Sequence, residues 1–250
     1  MAYRGSAQFY DLFAQGKEEE QSFYRLLAQE AGSPALELGV GTGLFAFLLA
    51  EDGITVVGLE QSREMLLEAR KKLQKAPKEI ARRLLFISGD MSNFHLEQEF
   101  RFIYLPSGSY QHLITRKQQL GCLRSVKAHL HKEGTFVFDI WTGESDTSGA
   151  WRRLETVPLP KGEAVTRSIS TRMIKDKEII DTVLRFDVQD KTGRITDTFY
   201  DWSQLSVLTV EDVKFQLAEM QFQVETIYSS FSRKPWTSKA QRAIFVTEPV

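Results

Sequence analysis

Between residues 33 and 141, short apolar runs alternate with stretches whose apolar residues recur at helical spacing. Ala35–Leu38, residues 54–60, residues 84–87, Phe100–Leu105 and residues 135–140 read as five strands. Residues 43–51 read as a helix, and residues 62–75 as another that places Met65, Leu66, Ala69 and Leu73 along one face. Thr115, with Gln118 three positions on, has the form of a capping box. The helix it opens carries Leu120, Leu123, Val126 and Leu130 toward a core. Strands that alternate with helices in this way predict a parallel sheet covered on both faces.

The period then changes. Between residues 151 and 208 the helical spacing disappears and alternation takes over, with Ile180, Leu184, Phe186 and Val188 on one strand face and Asp181, Arg185 and Asp187 on the other. Lys175-Asp176-Lys177 and Lys191-Thr192-Gly193-Arg194 are the turn candidates. An antiparallel insertion of three or so strands, spanning residues 150–208, is expected. Beyond it, Thr209 opens a helix with Val210, Val213, Leu217 and Met220, and two strands follow at residues 222–227 and 242–246. No helix separates those two, so the last strand is expected to run antiparallel to its neighbours. The whole reads as an α/β chain with one seven-stranded, mostly parallel sheet and an antiparallel β insertion between strand five and the next helix.

At 250 residues the chain is long enough for one well-buried core. A formal net charge of -1 supplies no positive field to attract nucleic acid, so none is expected as a partner. The N-terminal residues lack a signal-peptide apolar run, and no apolar stretch reaches bilayer length, so no membrane partner is expected either. The single cysteine, Cys122, reads as a core residue in a helix and fits a reducing cytoplasm.

The chemistry concentrates in Glu37-Leu38-Gly39-Val40-Gly41-Thr42-Gly43. Glycines at alternate positions let the chain turn sharply and let a ligand approach the main chain. The dinucleotide fingerprint requires a third glycine where Leu44 stands, and Gly43 comes one residue early. The acid two residues before Gly39 suits a cationic ligand better than a pyrophosphate. Glu60 ends the second strand, 21 positions after Gly39, where a carboxylate can accept from both hydroxyls of a ribose. A surface acid at a helix start is the plainer alternative. After the third strand, Gly89-Asp90-Met91 offers an acceptor for an adenine amino group and a side chain to cover its ring.

Taken in order, these three pieces resemble successive motifs of the class I S-adenosylmethionine-dependent methyltransferases, and the expected antiparallel last strand is similar to that family's Rossmann-like seven-stranded sheet. The resemblance covers essentially the whole chain, read as a single domain over residues 1–250. It implies S-adenosylmethionine as cofactor, with Gly39, Gly41 and Gly43 along its methionine and ribose portion. It also implies Glu60 on the ribose hydroxyls, Asp90 and Met91 at the adenine, and Glu37 toward the ammonium. Thr42, Gln61, Met65 and Leu105 complete the implied cofactor-lining set.

Phe9-Tyr10-Asp11-Leu12 and Gln15-Gly16-Lys17 resemble the N-terminal segment of bacterial sugar N-methyltransferases. That likeness implies that residues 1–32 cap the cofactor and acceptor, that Tyr10 lies over the cofactor, and that the insertion can form a homodimer. An aromatic staple is the structural alternative for Tyr10. In the loop after strand four, His112 is the candidate to take a proton, with Ser107 and Tyr110 beside it as acceptor-side candidates; a packing role competes with catalysis for His112. His129 and His131 read as helix-end residues favoured by the dipole. Asp139 invites a metal reading, but magnesium needs several oxygen ligands, and a hydrogen-bonded carboxylate at a strand end is the simpler account. Arg152, Arg153, Arg167, Arg172 and Arg185 offer themselves to an anionic substrate or form a solvated face. The expected activity is methyl transfer to a small molecule, at nitrogen rather than oxygen. The rivals are a nicotinamide oxidoreductase and a non-catalytic module that only binds the cofactor.

Overall fold

The computed structural model describes residues 5–13, 18–144 and 146–250. In chain order the helices are α1 (Glu18–Ala31), α2 (Leu44–Glu51), α3 (Arg63–Lys75), α4 (Lys78–Ala81), α5 (Arg116–His129) and α6 (Val210–Glu219). The strands are β1 (Ala35–Leu38), β2 (Val56–Glu60), β3 (Leu84–Ser88), β4 (Phe100–Leu105), β5 (Leu130–Trp141), β6 (Arg152–Pro158), β7 (Ala164–Ile174), β8 (Ile179–Gln189), β9 (Ile195–Ser206), β10 (Phe222–Tyr228) and β11 (Arg242–Pro249). The described residues form two compact units, 5–13 with 146–207 and 18–144 with 208–250. Gln15-Gly16-Lys17 lie outside the described residues.

The larger unit holds a seven-stranded sheet in the order β10-β11-β5-β4-β1-β2-β3. The pairings β1–β2, β1–β4, β2–β3 and β4–β5 are parallel, whereas β11 pairs antiparallel with both β5 and β10. The sheet therefore reverses its strand order between β1 and β4. In open α/β sheets such a switch point opens a crevice beyond the carboxyl ends of the strands.

Local sequence accounts for the helices. The Ser62 hydroxyl caps α3 at the Met65 N–H, and reciprocal capping boxes open α5 (Thr115 with Gln118) and α6 (Thr209 with Asp212). The sequence reading left α1 unassigned, although three glutamates in its first turn suit the helix dipole and Phe23, Tyr24, Leu27 and Ala28 form its buried face. Two apolar cores result. One gathers Leu36, Leu38, Ile103 and Leu105 with Leu123 and Val126 of α5 and Val213 and Leu217 of α6. The other gathers Val56, Phe102 and Tyr104 with Tyr24 of α1 and Phe45 and Leu49 of α2. Among the described residues no helix is long and apolar enough to cross a membrane.

The smaller unit is a four-stranded antiparallel sheet, β6-β7-β8-β9, one strand more than the alternation suggested. Both predicted turns fall between its strands. The polar face expected of β8 is not all solvated. Asp187 is buried, and its carboxylate accepts from Arg185 Nε (2.8 Å) and Thr198 Oγ1 (2.7 Å).

Candidate active site

Three glycines turn the chain from β1 into α2, and all three have positive φ: 69° at Gly39, 58° at Gly41 and 85° at Gly43. The reasons differ along the loop. A Cβ on Gly43 would stand 3.0 Å from Phe86 Cζ and 3.2 Å from the Phe47 ring, so packing as well as φ demands glycine there. A Cβ on Gly41 would meet nothing closer than 3.9 Å and would project into open space. That space is a cradle that a side chain would fill and a ligand can enter. Glu60 closes the loop from the end of β2. One of its oxygens accepts from Gly41 N–H (2.9 Å) and the other from Ser62 N–H (2.7 Å). Burial raises the Glu60 pKa, against the pull of these backbone donors. The Gln61 N–H also bonds this carboxylate, which leaves lone-pair capacity for one further donor.

Glu37 is buried (1% exposed). Its Oε2 accepts from the Tyr104 hydroxyl on the neighbouring strand β4 (2.8 Å), and its carboxylate also accepts the Ala46 N–H. Gly43 is the N-cap of α2 and has no side chain to cap it, so Glu37 supplies the acceptor that the first turn of α2 lacks. Burial dominates its titration and pushes its pKa up to about 8, with the Tyr104 and Ala46 bonds opposing. The same charge pushes the Tyr104 hydroxyl up, after burial.

The other expected cofactor residues divide by exposure. Gln61 is exposed beside Glu60, and Asp90 is exposed with Oδ1 accepting from Ser92 N–H (2.8 Å). Met91 is half-buried against the α5-side core. Thr42 is buried within the loop. Met65 and Leu105, at 2% and 0% exposed, belong to the packing beneath the strand ends rather than to a surface.

The loop after β4 lies across the switch point from the glycine loop. A Cβ on Gly39 would stand 3.7 Å from Ser109 Cβ. The loop enters a 3₁₀ turn, Ser109–His112, through two residues of positive φ, Ser107 (60°) and Gly108 (70°). His112 ends the turn, half-buried. Tyr110 departs from the acceptor-side expectation: it is fully buried against Phe138, and its hydroxyl donates to Gln216 Oε1 (2.8 Å). An aromatic ring with its hydroxyl already paired inside the core packs the loop rather than facing a ligand. The Ser107 hydroxyl turns inward to Glu20 Oε1 (2.8 Å). Asp139, fully buried, accepts Gly108 N–H at Oδ1 (3.0 Å) and pairs with Arg242 Nη1 at Oδ2.

Tyr10 belongs to the smaller unit, on a 3₁₀ helix Ala7–Phe13, and is 36% exposed. Its neighbours Phe9 and Phe13 pack against Phe186 and, for Phe9, Phe199. Trp151 and Trp202 are exposed, each ring near Tyr200. Arg167 pairs with Glu155, and Arg185 with Asp187.

Several site residues escaped the sequence reading: Tyr104, Glu20, Tyr24 and Arg242. A tyrosine inside an apolar strand signals that its hydroxyl has a partner, which was the available clue for Tyr104. His129 ends α5, as expected; it is buried, its Nε2 accepts from Leu96 N–H (2.7 Å), and its Nδ1 lies 2.6 Å from Ser125 O, so it also ties a loop to α5. His131 stands in β5 and accepts from Glu133 N–H (3.1 Å).

Known proteins agree with this architecture. The family model described as "Methyltransferase domain" matches residues 35–134, the span from β1 into β5. The cypemycin N-terminal methyltransferase of a Streptomyces species is 24% identical over 218 residues, 87% of this chain and 83% of that enzyme. The dTDP-3-amino-3,6-dideoxy-alpha-D-glucopyranose N,N-dimethyltransferase of Streptomyces fradiae is 30% identical over 142 residues, 54% of this chain and 52% of that enzyme. The crystal structure of DesVI from Streptomyces venezuelae superposes with a TM-score of 0.79 at 23% identity, covering 99% of each chain, which shows a shared fold. A seven-stranded sheet with an antiparallel last strand and a glycine loop without the dinucleotide fingerprint thus accompany a methyltransferase domain over residues 35–134, and over most of its length the chain is similar to methyltransferases.

Proposed function

We propose that this chain methylates an amine of a small molecule, with the acceptor received at the loop after β4. The observation that carries the reading is the meeting of two loops at the switch point, the glycine loop closed by Glu60 and the loop that ends in His112. S-adenosylmethionine, when bound, supplies a methyl group on a positively charged sulfur. The protein then has mainly to hold acceptor, methyl and sulfur in line, which accounts for several kcal/mol of barrier lowering.

In this reading Glu60 takes a ribose hydroxyl with the lone-pair capacity its backbone donors leave. Glu37 favours the ammonium of the methionine tail, and Asp90 with Met91 receives the adenine. His112 accepts the proton that an amine must lose. Nitrogen is favoured over oxygen because the relative that acts on cypemycin is named for an N-terminus and the sugar enzyme for an N,N-dimethyl product. A neutral amine also needs less help from a base than a hydroxyl does.

The test is incubation with S-adenosylmethionine and paired acceptors, amino sugars and free-amine peptides against their hydroxyl analogues, followed by mass spectrometry. Added methyl mass on the amines alone supports the proposal. Methylation confined to the hydroxyl analogues would overturn the choice of nitrogen.

A further inference from the structure

The loop from Pro106 to His112 is held by two buried carboxylates and a buried glutamine. Ser107 adopts φ 60°, a left-handed conformation that L-residues other than glycine avoid, and Gly108 follows at 70°. Such a pair persists only where the surroundings over-determine it. Here two buried carboxylates from different elements do so. Glu20, in the first turn of α1 and 6% exposed, accepts the Ser107 hydroxyl at 2.8 Å across 87 residues of sequence. Asp139, at the end of β5 and wholly buried, accepts the Gly108 N–H at 3.0 Å. Arg242 of β11 balances the Asp139 charge, its guanidinium lying over the Phe231 and Trp141 rings (5.0 and 5.8 Å). The Gln111 side chain completes the fastening, its Oε1 accepting Trp141 N–H (2.7 Å) and its Nε2 donating to Trp141 O (3.2 Å).

We infer that Glu20 is a positioning residue: through the Ser107 hydroxyl it fixes the loop in the shape that presents His112 to the acceptor. The inference rests on the reading of that loop as the acceptor side. It also gives Ser107 a role that a contact with substrate does not explain, since its hydroxyl is already turned inward. Burial divides the work. Asp139 and Gln111 hold the loop to the end of the sheet, and the Glu20–Ser107 bond ties it to α1.

The test is a double-mutant cycle of Glu20→Ala and Ser107→Ala, with Glu20→Gln and Ser107→Gly beside it. Steady-state kinetics, binding of S-adenosylhomocysteine and hydrogen exchange of residues 106–112 are the readouts. Each alanine variant is expected to lower kcat about tenfold and to speed exchange in the loop, less than the roughly 100-fold that a full 1 Å misplacement can cost, because Asp139 and Gln111 still hold the loop. Affinity for S-adenosylhomocysteine should hold. The double variant should lose far less than the product of the two single losses, because the Glu20–Ser107 bond is already gone in each. Glu20→Gln, which keeps an acceptor oxygen, should recover most of the turnover lost in Glu20→Ala. Ser107→Gly relieves the backbone but lacks the hydroxyl, so it should stay slow; full turnover in that variant, or multiplying losses in the cycle, would overturn the inference. His112→Ala separates the two claims. If it leaves turnover unchanged, the acceptor-side reading fails, and the clamp is then judged on exchange of residues 106–112 alone, where unaltered protection in both alanine variants refutes it.

Discussion

Replacing Glu37 by glutamine should stabilise the protein at neutral pH while weakening its hold on the cofactor. Glu37 is buried between β4 and the start of α2, and its pKa is pushed up to about 8. An acid whose folded pKa lies above its unfolded value prefers the folded protein in its protonated form. Its contribution to stability is therefore fully present below pH 4.5, the unfolded value, and is lost as pH rises toward about 8. One pKa unit corresponds to about 1.4 kcal/mol, so stability falls by roughly 3 kcal/mol by pH 7, where the unfolded acid ionises and the folded one still holds its proton, and by roughly 5 kcal/mol above pH 8. Glutamine keeps the shape, its oxygen taking the Ala46 N–H and its amide donating to the Tyr104 oxygen, which reverses the bond that Tyr104 now donates. One amide hydrogen and the Tyr104 hydroxyl proton are left to be accommodated, at a cost of about 2 kcal/mol. The expected net gain is about 1 kcal/mol at pH 7, rising with pH. Urea unfolding of both proteins at pH 5, 6, 7 and 8 measures it: the two stabilities should diverge as pH rises. Parallel curves would refute the assignment of a buried, late-ionising carboxylate. Calorimetric titration of Glu37→Gln with S-adenosylhomocysteine should show weaker binding, since glutamine cannot lose a proton to meet an ammonium as an anion.

Three further outcomes follow from single contacts. Glu60→Ala should weaken binding of S-adenosylhomocysteine by about 1–3 kcal/mol, the worth of hydrogen bonds to a charged group, and unchanged affinity in a folded variant would remove the ribose assignment. Tyr24→Phe should leave stability unchanged or raise it by about 1 kcal/mol, because the Tyr24 hydroxyl is buried without a hydrogen-bond partner among the described residues; a drop in melting temperature would show that the hydroxyl is paired after all. Gly43→Ala should destabilise by roughly 2–3 kcal/mol, from a left-handed φ and a Cβ pressed on Phe86 and Phe47, and denaturant midpoints within error of the parent would contradict that packing.

What was legible in the sequence was whatever depends on neighbours along the chain. The glycine run, the capping boxes at Thr115 and Thr209, and the switch from helical to alternating period after residue 150 all act over a few residues, and all appear in the structure. The absence of a helix between β10 and β11 was enough to predict that the last strand runs antiparallel, because a parallel return needs a crossover. Cofactor class was legible through the resemblance of three ordered motifs to a known family, with which the acid and glycine spacing is compatible.

What the tertiary structure decided was which polar groups meet. Glu37 and Tyr104 lie 67 residues apart, Glu20 and Ser107 lie 87 apart, and Arg242 reaches Asp139 from 103 residues away. Nothing in the local pattern of any of these residues names its partner. Tyr110 shows the same limit in the other direction: a polar tip in a loop beside His112 looked available to substrate, and Gln216 on α6 had already taken it. Burial makes such pairs obligatory, because a desolvated carboxylate or hydroxyl must find a partner wherever the fold brings one. The fold brings these together because parallel strands carry their carboxyl ends to one edge, and that edge is assembled from six segments distant in sequence.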